Sequence, residues 1–173
     1  MDKINIFTDS YNEIYGDILS CDSINQDIII CHQVNCKGVM GAGLALQIKE
    51  KYPEVYNKYK LFCEEAKSSA DLLGKILYCN IEVNSMNVTF ANIFGQISYG
   101  KNGVYTDYNA LKEAFINLRH KLCELNKTNK TIVRIPKNIG CGHGGGDWKI
   151  VFDIIVKELI NKDVQVEIWS INS

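Results

Sequence analysis

An α/β fold with a mixed sheet between two helix layers is the architecture this chain predicts, and three observations predict it. Strand-like and helix-like segments alternate along the 173 residues. One segment, "QDIIICHQV", is a continuous β-branched run of the kind found in strands covered on both faces. The segments near the N-terminus look hairpin-connected, which adds antiparallel pairing to the parallel pairing that strand and helix alternation implies.

The elements follow in order. "KINIF" and "NEIYGDIL" alternate polar and apolar residues as short strands do. After "QDIIICHQV" comes a turn with glycines at 38, 41 and 43, and then "GLALQIKEKY", whose apolar residues recur at helical spacing. Pro53 opens a second helix, "EVYNKYKLFCEEAK", at a first-turn position where a missing N–H costs nothing. "SSADLLG" reads as loop, and "KILYCN" and "NVTFANIF" as strands joined into a hairpin through "EVNS". The polar, glycine-rich loop "GQISYGKNGVY" leads to the helix "TDYNALKEAFINLRHKLCELN", with Thr106 as its N-cap and an apolar stripe of Leu111, Phe115, Leu118 and Leu122. The last third repeats the logic: strand "TIVRIP", glycine loop "KNIGCGHGGG", helix "DWKIVFDIIVKELIN" and closing strand "VQVEIWSI". No repeat, low-complexity tract or linker interrupts it, so one domain over residues 1–173 is expected.

Composition narrows the function classes. With 19 basic against 20 acidic residues there is no global field to attract nucleic acid, so recognition of a charged ligand must be local. The seven cysteines are odd in number, lie mostly in apolar segments and follow no signal-like start, which fits a reducing cytoplasm. No apolar run approaches the roughly 20 residues of a membrane span. A soluble cytoplasmic monomer is expected.

Both glycine loops leave a buried-looking strand and enter a helix, the place where α/β sheets form ligand crevices. Helix N-terminal N–H groups attract anions, and glycine lets them approach the main chain closely. A tight packing turn is the alternative for either loop alone. A dinucleotide fingerprint fails: "GAGLAL" puts Leu46 at the third glycine position, and Glu64 and Glu65 lie in a helix. Neither loop ends in the G-K-[ST] of a triphosphate-binding loop.

Taken in order, "YGDIL", "IIICHQVNCKGVMGAGLALQIKEKYPE" and "RIPKNIGCGHGGGDW" resemble the macrodomains. The resemblance is greatest to the branch holding terminal ADP-ribose protein glycohydrolases, antitoxins that remove ADP-ribose from DNA, and yeast-type ADP-ribose 1″-phosphate phosphatases. It implies a three-layer α/β/α macrodomain with a central mixed β-sheet that binds ADP-ribose, or a derivative or ADP-ribosylated macromolecule that carries it, and needs no cofactor or metal. By the same resemblance Asp17, with Ile18 beside it, takes the adenine amino group. Gly41, Ala42, Gly43 and Leu44 form the first diphosphate loop. Gly140, Cys141, Gly142, His143, Gly144 and Gly145 form the second. Asn35 meets the distal ribose, and Trp169 and Ser170 lie beside the adenine. Phe94, Tyr99, Tyr105 and Tyr108 are candidates for an aromatic wall, with Tyr105 and Tyr108 as packing for the following helix the alternative.

The catalytic residues of relatives are not all present. Protein-deglycosylating relatives place a lysine where this chain has Gln96, and an aspartate where it has Gly144. Glutamine offers no nucleophilic amine. Lys101 is near only in sequence. The chemistry then falls to His32, Asn35, His143 and Gln96. Two imidazoles would bracket the distal end of the ligand, and Asn35 and loop amides would stabilise charge. A core role for His32 and a rim position for His143 are the alternatives, while His120 reads as solvated helix surface. Zinc on Cys31, Cys36, Cys141 and His143 is disfavoured, because Cys31 and Cys36 should point to opposite faces of the sheet. Cys141 as a thiolate nucleophile weighs less than Cys141 as a small buried residue. Phosphate removal from ADP-ribose 1″-phosphate is the leading expectation; a lysine-independent ADP-ribosyl hydrolase and a non-catalytic ADP-ribose-binding module are the alternatives.

Overall fold

The computed structural model describes residues 11–22 and 24–171. Six strands form one sheet: β1 (Tyr11–Tyr15), β2 (Asp27–Asn35), β3 (Ile76–Val83), β4 (Met86–Gln96), β5 (Thr131–Pro136) and β6 (Gln165–Ser170). Their order is β1-β6-β5-β2-β4-β3, parallel except where β3 and β4 pair antiparallel. Four helices cover it: α1 (Gly43–Lys51), α2 (Pro53–Glu65), α3 (Tyr108–Glu124) and α4 (Trp148–Glu158).

Period-two alternation sorts the strand residues between two layers. Ile29 and Cys31 of β2 join Val133, Ile135, Val166 and Ile168 in a core under α3 and α4. Ile28, Ile30, Val88 and Phe90 face the other way, with Ile48 of α1 and Val55 of α2, and the segment carrying Ile18, Leu19 and Cys21 completes that side. The run from Ile28 to Cys31 is apolar at every position because β2 lies mid-sheet between both cores. Cys31 and Cys36 fall in cores on opposite sides, as the alternation requires.

The antiparallel pair is the β3–β4 hairpin, closed by Asn84 and Ser85 with φ of 50° and 64°, a left-handed pair that suits the twist of a two-residue turn. The mixed character was expected from a hairpin of early strands instead. "KINIF" lies outside the described residues, and the neighbour of β1 is β6, in parallel. Strand β1 also stops at Tyr15, so "GDIL" is a turn rather than strand. The N-cap of α3 is Asp107, whose carboxylate accepts from Ala110 N at 2.9 Å. Thr106 stands one residue too early and its hydroxyl is engaged elsewhere. Pro53 does open α2.

Five parallel strands end at one edge of the sheet. Along it run the turn after β1, the end of β6, the second glycine loop after β5, the first after β2, and the loop 97–107 after β4. The two glycine loops are neighbours because β5 and β2 pair directly.

Candidate functional site

At the β1 and β6 end, Asp17 is exposed, and its Oδ1 accepts from Leu19 N at 2.9 Å, leaving Oδ2 without a partner among the described residues. The Ile18 N–H is likewise unpaired among them, although the Ile18 side chain is buried. This turn is held from beneath by Arg134, 2% exposed, whose NH1 donates to Ile18 O at 3.1 Å and to Ser20 O at 2.6 Å. Its Nε lies 3.3 Å from Glu167 Oε2, in ion-pair range but without hydrogen-bond geometry. The guanidinium stacks 4.4 Å from the Trp169 ring centroid, while Trp169 Nε1 donates to Glu167 Oε2 at 2.8 Å. Gly16 N donates to Ser170 O at 2.9 Å and closes this corner. Arg134 carried no signal in the sequence, because nothing there says that its charge lies under a turn.

The first glycine loop is shaped by Asn35. Its Oδ1 accepts from Lys37 N at 2.9 Å and Val39 N at 3.4 Å, and its Nδ2 donates to Val39 O at 2.7 Å. Tyr59 OH reaches Asn35 O at 2.7 Å and Asn35 Oδ1 at 2.9 Å. With these bonds made and 7% exposed, Asn35 holds the loop's shape. The loop delivers the chain to α1, whose N-cap Ala42 offers no side-chain acceptor and whose first turn carries no acid. Helices α3 and α4 are closed by Asp107 and Asp147. Among the described residues the first-turn amides of α1, Gly43 to Ala45, therefore find no acceptor, and they carry the partial positive charge of a helix start. A Cβ added at Gly43 meets nothing within 4 Å, while the φ of +57° favours glycine there.

The glycines of the second loop divide by cause. Side chains at Gly144 would strike Thr106 Oγ1 and Gly140 O, and at Gly145 the Gly103 carbonyl. At Gly142 a Cβ meets nothing within 4 Å, and no left-handed φ demands glycine. The N–H groups of Gly142, His143 and Gly144 find no acceptor among the described residues. His143 is exposed. Cys141 turns its side chain towards the core under α3 and α4, and its Sγ donates to Ile139 O at 3.3 Å. Burial first, then the charge of Asp147, pushes that thiol up to about 11, away from thiolate chemistry.

Three predicted site residues lie below the surface. His32 is 2% exposed and points into the layer under α1, with Nε2 at 2.6 Å from Asn92 Oδ1. Asn92 Nδ2 donates to Leu77 O, so Oδ1 is the acceptor, Nε2 carries the proton and Nδ1 is left without a partner. Burial lowers this imidazole to about 4, against a smaller raising effect of the Asn92 bond. It does not bracket the cleft with His143, because the period-two alternation points residue 32 into the sheet's covered face. Phe94 is 0% exposed, stacked on Tyr59 and Phe62 under α2, and is no wall for a ligand. Gln96, 8% exposed, accepts from Gln33 Nε2 at 2.6 Å and donates to Ser98 O at 2.8 Å, so both ends of its amide are spent internally. Tyr108 braces two helix starts, its OH accepting from Asp147 N at 2.9 Å, while Tyr99 stays 52% exposed on the loop 97–107.

This edge of the sheet thus carries an acid at one end, two adjacent sets of open amides in the middle, and a glycine- and tyrosine-bearing loop at the other end. No protein-family model matches the chain. Among curated proteins it is similar to the ADP-ribose 1″-phosphate phosphatase of Meyerozyma guilliermondii, 27% identical over 90% of this chain and 97% of that protein. It is also similar to the DNA ADP-ribosyl glycohydrolase of Mycobacterium tuberculosis, 29% identical over 79% of this chain, which spans 35% of that longer protein. Among solved structures, the macrodomain of Mycobacterium tuberculosis DarG superposes with a TM-score of 0.71 at 27% identity, covering 91% of this chain and 96% of the other. Fold, paired loops and relatives agree: the chain has the α/β fold of the macrodomains and is similar to them in sequence over most of its length.

Proposed function

We propose that the chain binds ADP-ribose along this edge and hydrolyses a group from its distal ribose, with ADP-ribose 1″-phosphate as the substrate. The observation that carries the reading is the pairing of open amides, at Gly43 to Ala45 and at Gly142 to Gly144, on loops from adjacent strands. A diphosphate supplies the acceptors these groups lack. The order of the strands supports one orientation of the ligand. Adenine lies over the β1 and β6 corner, where Asp17 Oδ2 accepts from its amino group, and the distal ribose lies towards β4.

The chemistry is hydrolysis of a phosphomonoester: a water oxygen attacks phosphorus, the bond from phosphorus to the ribose oxygen breaks, that oxygen takes up a proton from an acid, and the proton the water loses returns to the same group. We assign the proton to His143, and what supports this is that it is exposed, lies on the second loop and is without a hydrogen-bond partner among the described residues. Loop amides stabilise charge on the phosphoryl oxygens. Asn35 contributes by holding the first loop.

Similarity to the DNA ADP-ribosyl glycohydrolases favours a second reading, release of ADP-ribose from a modified nucleic acid. Calorimetry with ADP-ribose, AMP and NAD tests the common part, and absence of ADP-ribose binding ends both readings. Phosphate release from ADP-ribose 1″-phosphate supports the first; release of ADP-ribose from modified DNA with no phosphatase activity supports the second. Binding with neither activity leaves a module that only reads ADP-ribose.

A further inference from the structure

We propose that Gln33 and Thr106 are positioning residues, a side-chain relay holding the second glycine loop in the conformation that leaves the Gly142, His143 and Gly144 amides unpaired. The inference rests on those amides being part of the diphosphate cradle.

Gln33 stands near the end of β2, between β4 and β5, under the loops. Its Nε2 donates to Gln96 Oε1 at 2.6 Å and to Thr106 Oγ1 at 2.9 Å. Both amide hydrogens are used. Because the Thr106 oxygen accepts from Gln33, its single hydroxyl proton is directed to Gly140 O, 2.6 Å away. The main chain adds a second grip on the same loop: Tyr105 N and Thr106 N both donate to Gly144 O, at 2.8 and 3.0 Å. Thr106 therefore fixes the loop at Gly140 and at Gly144, on either side of the three unpaired amides.

Two further observations show how tightly this chain of bonds is built in. Gln33 Oε1 is buried and accepts nothing among the described residues, an unfavourable state that a leucine at 33 would avoid. The carboxamide is retained for its NH2 end. Side chains at Gly95, Gly140 or Gly144 would displace Gln33 or Thr106, so these glycines are dictated from below the loop, and the relay has no room to rearrange.

The test uses Gln33→Leu, Thr106→Val, their combination, and Thr106→Ser, which keeps the hydroxyl. ADP-ribose affinity is measured by calorimetry, and amide hydrogen exchange at Gly142 to Gly144 is measured by NMR in the unliganded protein. Gln33→Leu and Thr106→Val should each weaken binding by about tenfold or more, and the double variant by no more than the worse of the two, as members of one network do. Exchange at the three amides should change while the strands keep their protection, and Thr106→Ser should restore both readouts. Unchanged affinity and exchange in Thr106→Val, or a Thr106→Ser variant as impaired as Thr106→Val, overturns the proposal. If the unaltered protein does not bind ADP-ribose, the functional reading fails by itself, and the exchange measurement still decides whether the relay sets the loop. Should Gln33→Leu fail to fold, the two Thr106 variants carry the decision.

Discussion

Gly142 and Gly144 lie two residues apart and are bare for different reasons. Gly144 is walled in by Thr106 and Gly140, whereas the space beside Gly142 is empty and its backbone accepts any residue. Gly142→Val should leave stability within about 0.5 kcal/mol of the original, as surface changes usually do, and abolish detectable ADP-ribose binding in calorimetry. Normal binding by that variant would remove the second loop from the diphosphate site. Asp17→Ala should weaken ADP-ribose by about 1.5 to 3 kcal/mol if Oδ2 makes a charge-assisted bond; unchanged affinity removes the adenine assignment. At this scale the sequence named the right neighbourhoods but could not orient side chains. His32, Phe94 and Gln96 all stand on strands leading into the edge, yet His32 and Phe94 face a helix layer and Gln96 is spent on Gln33 and Ser98. Their burial depends on which helices cover which face, a long-range matter.

Among the helices the informative contrast is at their starts. Asp107 and Asp147 close α3 and α4, but Ala42 leaves α1 open with the extended backbone of an N-cap, φ −155° and ψ 165°. Ala42→Asp would supply the missing acceptor and a favourable charge, stabilising the helix by about 1 kcal/mol. The same carboxylate would compete with a bound diphosphate. The expected outcome is a raised Tm together with loss of ADP-ribose binding, and a variant that is stabilised and still binds would show that α1 does not hold the anion. Elements themselves were largely legible. The apolar run of β2, the spacing of the four helices, Pro53 and the β3–β4 hairpin all follow from local chemistry. The cap of α3 is Asp107 rather than Thr106: Asp is the stronger capping type, and the Thr106 hydroxyl is taken by Gly140 O, a bond that joins residues 34 apart.

For the whole molecule, the interior histidine makes stability depend on pH. Folding holds His32 neutral, at about 4, against about 6.5 for an unperturbed imidazole. The folded state therefore binds fewer protons between these values, and unfolding takes a proton up. The contribution is complete above about pH 6.5 and lost as pH falls towards about 4, a change of about 3 kcal/mol. Urea unfolding at pH 7, 5.5 and 4.5 should show it, and His32→Gln should flatten the slope relative to the original chain; equal slopes would place the imidazole in water. By itself the sequence determined the layered α/β architecture, the two glycine loops and their kinship to macrodomain motifs, because these rest on local periodicity and on short patterns of residue type. Only the tertiary structure decided that both loops stand side by side, that some glycines serve packing and others open space, and that Arg134 and Gln33 bond the segments along this edge. Those facts depend on strand order and on contacts between residues far apart in the chain, which no local pattern encodes.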